Sequence, residues 1–147
     1  MSKVTSYFHI VFCTKGREMT IPLQYKEDLY RYIWKVLKDS STHLIRIGGI
    51  QNHVHILVNV SPTISLSKLM QDVKSLSSGW MAADSRFMNF KGWASGYYAC
   101  SLSPERVDDV HRYIINQESH HLCRNFADEL SELCRFANLE LDEREMI

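Results

Sequence analysis

The chain has 147 residues, with 17 Lys and Arg residues against 17 Asp and Glu residues, so its formal net charge at neutral pH is zero. This length is that of one typical domain, and we expect a single domain over residues 1–147. No apolar stretch approaches the roughly 20 residues that a membrane-spanning helix needs, and the N-terminus lacks a signal-peptide pattern. We therefore expect a cytoplasmic protein with no membrane association.

The first half of the chain predicts three strands and one helix. Residues 4–14 alternate in polarity and are rich in β-branched and aromatic residues, which indicates a strand. Pro22 fits the first turn of a helix, and apolar residues then recur at helical spacing as far as Ser40. Strands at 43–47 and 53–60 are separated by a glycine pair and a short polar turn, which predicts an antiparallel hairpin.

The second half predicts a helix, a strand and two further helices. The helix extends from about residue 65 to residue 83, the strand covers 92–103, and the last helices cover 104–121 and 125–137. This order, βαββαβ followed by C-terminal helices, is that of a ferredoxin-like split-βαβ sandwich in the α+β class. We expect an antiparallel sheet with helices on one face and an open second face.

A His-hydrophobic-His triplet, His53, Val54 and His55, lies inside the predicted strand 53–60. Side chains alternate faces along a strand, so the two imidazoles project from the same face. Neutral imidazole is a common ligand of divalent metals, and a strand holds both rings in place. The triplet alone is a short pattern that a pair of packed structural histidines would also satisfy.

A second candidate pair, Tyr113 and Gln117, lies in the predicted helix 104–121. Residues at i and i+4 share one face of a helix. A helix packed against the histidine strand can therefore present a phenol and a neutral oxygen ligand to the same metal as His53 and His55.

Together these motifs resemble the single-tyrosine HUH transposases of small bacterial insertion sequences and their repeat-associated relatives. The resemblance extends over nearly the whole chain, through segments at 7–15, 47–49, 53–55, 96–101, 113–121 and 125–129. It implies that residues 1–147 form one HUH transposase-type catalytic domain with the same ferredoxin-like fold.

The resemblance implies a chemistry for each site residue. Tyr113 would be the nucleophile that nicks single-stranded DNA, forming a 5′-phosphotyrosine and a free 3′-hydroxyl that allows rejoining. His53, His55 and Gln117 would hold Mg²⁺ or Mn²⁺, although the residue types equally admit Zn²⁺. His121, one turn beyond Gln117, is an alternative third ligand or phosphate contact.

The same resemblance implies the partners. The DNA would be single-stranded and would include hairpin-containing element ends, and the reaction would serve DNA transposition. The protein would be a homodimer, for which an unpaired sheet edge gives a physical reason, since exposed edge strands pair readily with a symmetric copy.

The uneven charge distribution suggests where DNA binds. The chain carries 12 basic and 6 acidic residues through Lys91, against 5 basic and 11 acidic residues afterwards. A basic face suits DNA, and Lys68 and Lys74 are candidate contacts. Tyr97 and Tyr98 are candidates for stacking on bases, although one of them must face the core if their segment is a strand.

Two other functions remain open from the sequence. One is a non-catalytic module that binds single-stranded nucleic acid on the same fold, and the other is a metal-dependent hydrolase that acts through activated water. His9 and His111 are expected to be packing or surface residues.

Overall fold

The computed structural model describes residues 2–120, 125–142 and 144–146. Its strands are β1 (Tyr7–Cys13), β2 (His43–Ile50), β3 (His53–Asn59) and β4 (Tyr98–Leu102), and its helices are α1 (Lys26–Asp39), α2 (Leu66–Ala82), α3 (Val107–Ile115), α4 (Gln117–His120) and α5 (Phe126–Phe136). The strands form one antiparallel sheet in the order β2-β3-β1-β4. The predicted ferredoxin-like α+β fold is confirmed. None of the helices within the described residues combines the length and the apolar character that crossing a membrane requires.

One face of the sheet packs against α1 and α2. Alternate residues of the two central strands point to this side and are completely buried, and α1 contributes apolar residues at helical spacing. The core contains Ile10, Phe12, Val54, Ile56, Leu29, Ile33, Leu37, Leu69, Met70 and Val73. Burial of these side chains is the main apolar contribution to stability on this side of the sheet.

The second face of the sheet is covered, so the expectation of an open face is wrong. Helix α5 has an apolar stripe at helical spacing, and this stripe must be buried against another element. It packs on the sheet in a second apolar cluster that includes Val11, Cys13, Tyr98, Phe126, Leu130 and Cys134. The histidine face is therefore an interior layer between the sheet and the C-terminal helices.

The fourth strand is shorter than the predicted span 92–103, because the chain turns before it. Gly96 has φ of +80°, a left-handed value that interrupts extended backbone. The ammonium group of Lys74 donates hydrogen bonds to the carbonyl oxygens of Ala94 at 2.6 Å and Gly96 at 2.9 Å. The strand then covers only Tyr98–Leu102.

The predicted tyrosine helix is divided in two. Helix α3 ends at Ile115, Asn116 forms the break, and α4 begins at Gln117. The side chain of Gln117 is nevertheless buried, so the break does not turn it away from the sheet. His121 lies outside the described residues.

Close approach of α3 to the sheet depends on Gly48 in β2. Gly48 pairs with His55 across the hairpin. A Cβ atom at Gly48 would lie 2.9 Å from Cγ2 of Ile114 and 3.1 Å from the carbonyl oxygen of Ile114. The absence of a side chain therefore allows the tyrosine helix to pack directly on the strand beside the histidines.

We predict that Gly48→Ala lowers the free energy of unfolding by about 1–3 kcal/mol, because the added methyl group overpacks the contact with α3. Gly79→Ala is the control, since a Cβ atom at Gly79 in α2 has no neighbour within 4 Å. That control should stabilise the helix by roughly 0.5–1 kcal/mol. Urea unfolding followed by circular dichroism measures both, and equal midpoints for the two variants would contradict the packing argument.

Candidate active site

The two strand histidines lie together on the covered face of the sheet. His53 and His55 project from β3 toward the C-terminal helices, and both are 0% exposed. Their ring centroids are 5.0 Å apart. The ring of Phe126, at the start of α5, stacks on His53 at 4.2 Å. The two imidazoles therefore lie on the same face of the sheet, as strand alternation predicts, and that face is in the protein interior.

Helix α5 places a carboxylate, that of Glu129, between these histidines. Its Oε1 lies 2.9 Å from Nε2 of His55, and its Oε2 lies 3.6 Å from Nε2 of His53. Glu129 is completely buried. The sequence analysis assigned no role to this residue, although its place on the apolar stripe of α5, between Phe126 and Leu130, was a usable signal.

Tyr113 contacts the same carboxylate. Its hydroxyl group donates a hydrogen bond to Oε1 of Glu129 at 2.6 Å. Its ring centroid lies 5.7 Å from that of His55. Tyr113, the candidate nucleophile, and His55, a candidate metal ligand, therefore both contact Oε1 of Glu129.

Gln117 lies on the other side of His53. Its Oε1 is 3.3 Å from Nε2 of His53, and its amide nitrogen donates to the carbonyl oxygen of Tyr113 at 3.4 Å. The opposite ring nitrogen, Nδ1 of His53, lies 2.8 Å from Oδ1 of Asn52. The Asn52 amide nitrogen in turn donates to the carbonyl oxygen of Arg17 at 3.2 Å. These contacts fix the orientations of the Asn52 and Gln117 side-chain amides on either side of the His53 ring.

A third histidine, His9 of β1, belongs to the same cluster. Its Nε2 lies 2.8 Å from Nδ1 of His55, and the two rings stack with centroids 5.1 Å apart. His9 is buried, as a packing residue would be, but the sequence analysis missed its contact with His55. Burial lowers the pKa of His9, the neighbouring His55 lowers it further, and Glu129 partly opposes the shift. His9 is therefore a neutral hydrogen-bonding partner.

The ionisation of Glu129 is set by its two histidine contacts. Burial alone would raise the pKa of this carboxyl group, but hydrogen bonds from His53 and His55, and the charges of those rings, hold it well below its usual range. Glu129 is consequently a carboxylate at neutral pH. It supplies negative charge at the centre of the cluster.

The donor set fits a divalent cation. The ligand atoms of His53, His55 and Glu129 are buried and lie within 4.8 Å of one another. Nε2 of His53 faces two oxygen atoms, Oε1 of Gln117 at 3.3 Å and Oε2 of Glu129 at 3.6 Å. A divalent cation held among these nitrogen and oxygen atoms would satisfy all three. Nitrogen and carboxylate donors are compatible with Mg²⁺, Mn²⁺ or Zn²⁺.

The residues predicted to contact DNA are dispersed. Lys68 is exposed and pairs with Asp72 at 3.0 Å, whereas Lys74 is engaged with backbone carbonyl groups rather than directed outward. Tyr98 is only 3% exposed, because its hydroxyl group donates to the carbonyl oxygen of Leu133 under α5. Tyr98 is thus the member of the tyrosine pair that faces the interior, and stacking of its ring on a base is not compatible with this packing. Tyr97 remains partly exposed.

A cavity of about 460 Å³ opens beside the candidate nucleophile. Tyr113 and His9 are among its lining residues, and Val110, Leu133 and Phe136 contribute apolar surface. Tyr113 therefore borders a cavity that lies between α3 and α5.

We predict that Glu129→Gln weakens binding of Mn²⁺ by at least about tenfold, because the substitution removes the central negative charge while preserving the shape of the side chain. Isothermal titration calorimetry measures this affinity. Glu132→Gln makes the same chemical change at an exposed position of the same helix and should leave the affinity unchanged. Equal affinities in the Glu129 variant and the parent would remove this carboxylate from the metal site.

Comparison with known proteins identifies the family and supports the fold. The family described as "Transposase IS200 like" matches residues 2–117, whereas no curated protein matches the chain. A candidate transposase from Deinococcus radiodurans R1 has a similar structure, with a TM-score of 0.61 and 17% identity over 80% of this chain and 95% of its own. A REP-associated tyrosine transposase bound to a REP hairpin gives a TM-score of 0.60 and 16% identity over 82% of this chain and 74% of its own. The chain belongs to the IS200-like transposase family.

Proposed function

We propose that the protein nicks and rejoins single-stranded DNA during transposition, with Tyr113 as the nucleophile. The observation that carries this proposal is the shared contact at Glu129, whose Oε1 accepts the hydrogen bond of Tyr113 and lies 2.9 Å from His55. A tyrosine, two imidazoles and a carboxylate then form one cluster, in a family whose members act in DNA transposition.

The chemical step is a transesterification. The phenolic oxygen of Tyr113 forms a bond to phosphorus while the bond from phosphorus to the 3′ oxygen breaks. The products are a 5′-phosphotyrosine and a 3′-hydroxyl group, and the net proton transfer is from the phenol to the departing oxygen. Attack by the 3′-hydroxyl of another strand reverses the step and rejoins DNA.

Glu129 orients the phenol for this step. The hydrogen bond of 2.6 Å fixes the direction of the Tyr113 oxygen. Because the pKa of Glu129 lies well below its usual range, this carboxylate remains an acceptor at neutral pH and is a weak base. We therefore assign it a positioning role toward the nucleophile.

His53, His55 and Glu129, together with the amide oxygen of Gln117, are the residues that would hold Mg²⁺ or Mn²⁺. A bound divalent cation supplies neutralisation of the negative charge on the non-bridging phosphate oxygens, which otherwise opposes attack. His9 and Asn52 would keep the two ligand rings in the correct orientation, since each bonds the ring nitrogen that faces away from Glu129.

The DNA partner we propose is single-stranded, with hairpin-containing ends. The REP-associated tyrosine transposase with a similar fold is bound to a REP hairpin, which supports a hairpin partner for this chain.

One observation favours the second candidate, a non-catalytic module that binds single-stranded nucleic acid. Both strand histidines are completely buried, and Glu129 already contacts them inside a packed layer. Such a cluster would also suit a purely structural core. A covalent adduct with DNA separates the two functions, because a binding module forms none.

We predict that Tyr113→Phe abolishes the covalent adduct with labelled single-stranded DNA in the presence of Mn²⁺, since the reactive oxygen is lost. Denaturing electrophoresis detects the adduct. The variant also loses a hydrogen bond to a buried carboxylate, so the unfolding free energy should fall by roughly 1.5–3 kcal/mol, and its folding must be verified. Tyr97→Phe is the matched control and should form the adduct normally. An adduct of parental yield in the Tyr113 variant would assign the nucleophile elsewhere.

We further propose a homodimer in which each active site is formed within one chain. Tyr113 contacts Glu129 of its own chain and lies beside its own His55. Mixing a Tyr113→Phe protomer with a His53→Ala protomer should therefore restore no adduct formation, because neither chain holds a complete site. Recovery of adduct formation, at one functional site per heterodimer, would instead show that the site is shared between chains. Sedimentation showing only monomer at micromolar concentration would exclude the dimer.

A further inference from the structure

A groove follows the outer strand β2 along the edge of the sheet, from α1 on one face to α3 and α4 on the other. It consists of two adjoining cavities of about 370 and 300 Å³, both lined by Glu27, Tyr30, Arg46 and Ile47. We call this feature the β2-edge groove. Because β2 is an end strand of the sheet, the groove lies along an edge that no other strand within the described residues covers.

The groove connects the candidate active site to the surface of α1. At its inner end it is lined by Gln117, Gly48 and Ile114. At its outer end it is lined by Trp34 and Arg31. A chain lying in this groove would therefore have one end at Gln117 and the other at an exposed tryptophan.

Trp34 is an unusual residue for a solvent-exposed helix face. It is 49% exposed, and the ammonium group of Lys38 lies over its ring at 5.0 Å from the centroid. An exposed indole beside a cation offers a stacking surface together with positive charge. Both features suit a nucleobase and its phosphate.

Arg46 supplies charge at the middle of the groove. Arg46 is exposed. In the register of β2 with β3, Arg46 lies opposite Leu57, and Gly48, two positions later, lies opposite His55. Arg46 therefore projects from the same face of the sheet as the histidines. Within the described ranges no carboxylate forms an ion pair with Arg46. Its guanidinium group is available for an external anion.

We propose that the β2-edge groove binds the single DNA strand next to the phosphate that is cleaved. Trp34 stacks on a base and Arg46 binds a phosphate, which guides the strand toward Gln117. This inference rests on the proposed function, and it is an alternative to the interface expected at Lys68, Lys74, Tyr97 and Tyr98. Of these side chains, Lys68 pairs with Asp72, Lys74 binds backbone carbonyl groups, Tyr98 is buried, and Tyr97 is partly exposed.

The test is the affinity of the full-length protein for a fluorescein-labelled 12-nucleotide single strand, measured by anisotropy in EDTA so that no cleavage occurs. Trp34→Ala should weaken binding roughly tenfold through loss of stacking, and Trp34→Phe should recover most of the affinity. Arg46→Ala should weaken binding several-fold and reduce the slope of log K against log salt by about 0.7, the value for one phosphate contact on a single strand.

Two variants outside the groove serve as controls. Leu76→Ala removes an apolar side chain of α2 that is also 49% exposed, and Lys91→Ala removes an exposed lysine charge. Both should bind the oligonucleotide as the parent does. Lys68→Ala tests the competing interface and should likewise have little effect. Circular dichroism and sedimentation verify that each variant keeps its fold and its assembly state.

The outcomes separate this inference from the proposed function. Parental affinity in the Trp34 and Arg46 variants would overturn the groove, even where the parent forms the tyrosine adduct. Loss of affinity in these variants would support the groove even where no adduct forms, in which case the proposed nicking fails alone. A shift from dimer to monomer in the variants would overturn the inference and assign the β2 edge to an interface between copies of the chain.

Discussion

The contact of the Glu129 carboxylate with His53, His55 and Tyr113 determines how the second face of the sheet is built. A buried carboxylate is strongly unfavourable unless it is paired and hydrogen-bonded. Here Oε1 accepts the hydrogen bond of Tyr113 and lies 2.9 Å from Nε2 of His55, and Oε2 lies 3.6 Å from Nε2 of His53. The polar cluster and the apolar stripe of α5 therefore act together. Removing one side chain of this cluster leaves the remaining polar groups buried without that partner, which costs stability. The packing of α3 and α5 on β3 therefore depends on the whole cluster.

The same dependence links stability to chemistry. The depressed pKa of Glu129 follows from the contacts that also make it a candidate ligand and an acceptor for the phenol. His9 and Asn52 bond the outer ring nitrogens, so the ring nitrogens that face the carboxylate are fixed before any cation or substrate binds. This preorganisation is characteristic of catalytic metal sites, where orienting bonds matter almost as much as the ligands.

Much of the fold could be predicted because the strands and helices follow from patterns among residues close in sequence. Strand alternation placed His53 and His55 on one face, and the order of elements indicated the split-βαβ topology. Glu129 was not assigned a role because its neighbours in space are distant in sequence, and only its position on an apolar helix face indicated burial. The strand expected over 92–103 begins only at Tyr98, because Gly96 interrupts it with a left-handed backbone that no periodicity reveals.

The two faces of the sheet impose different constraints on the sequence. The face toward α1 and α2 requires only apolar volume, which many combinations of side chains satisfy, so sequence identity can fall to 16–17% while the fold persists. The histidine face requires particular donors, and it requires Gly48 to let α3 approach within contact distance of β2. The closed packing of α5 shields the histidines, whereas cavities adjoin the cluster at two other places. The groove along β2 is lined by Gln117 at its inner end, and the cavity between α3 and α5 is lined by Tyr113. Both faces of helix α3 and its continuation into α4 are therefore bordered by open space, while the histidines themselves stay enclosed.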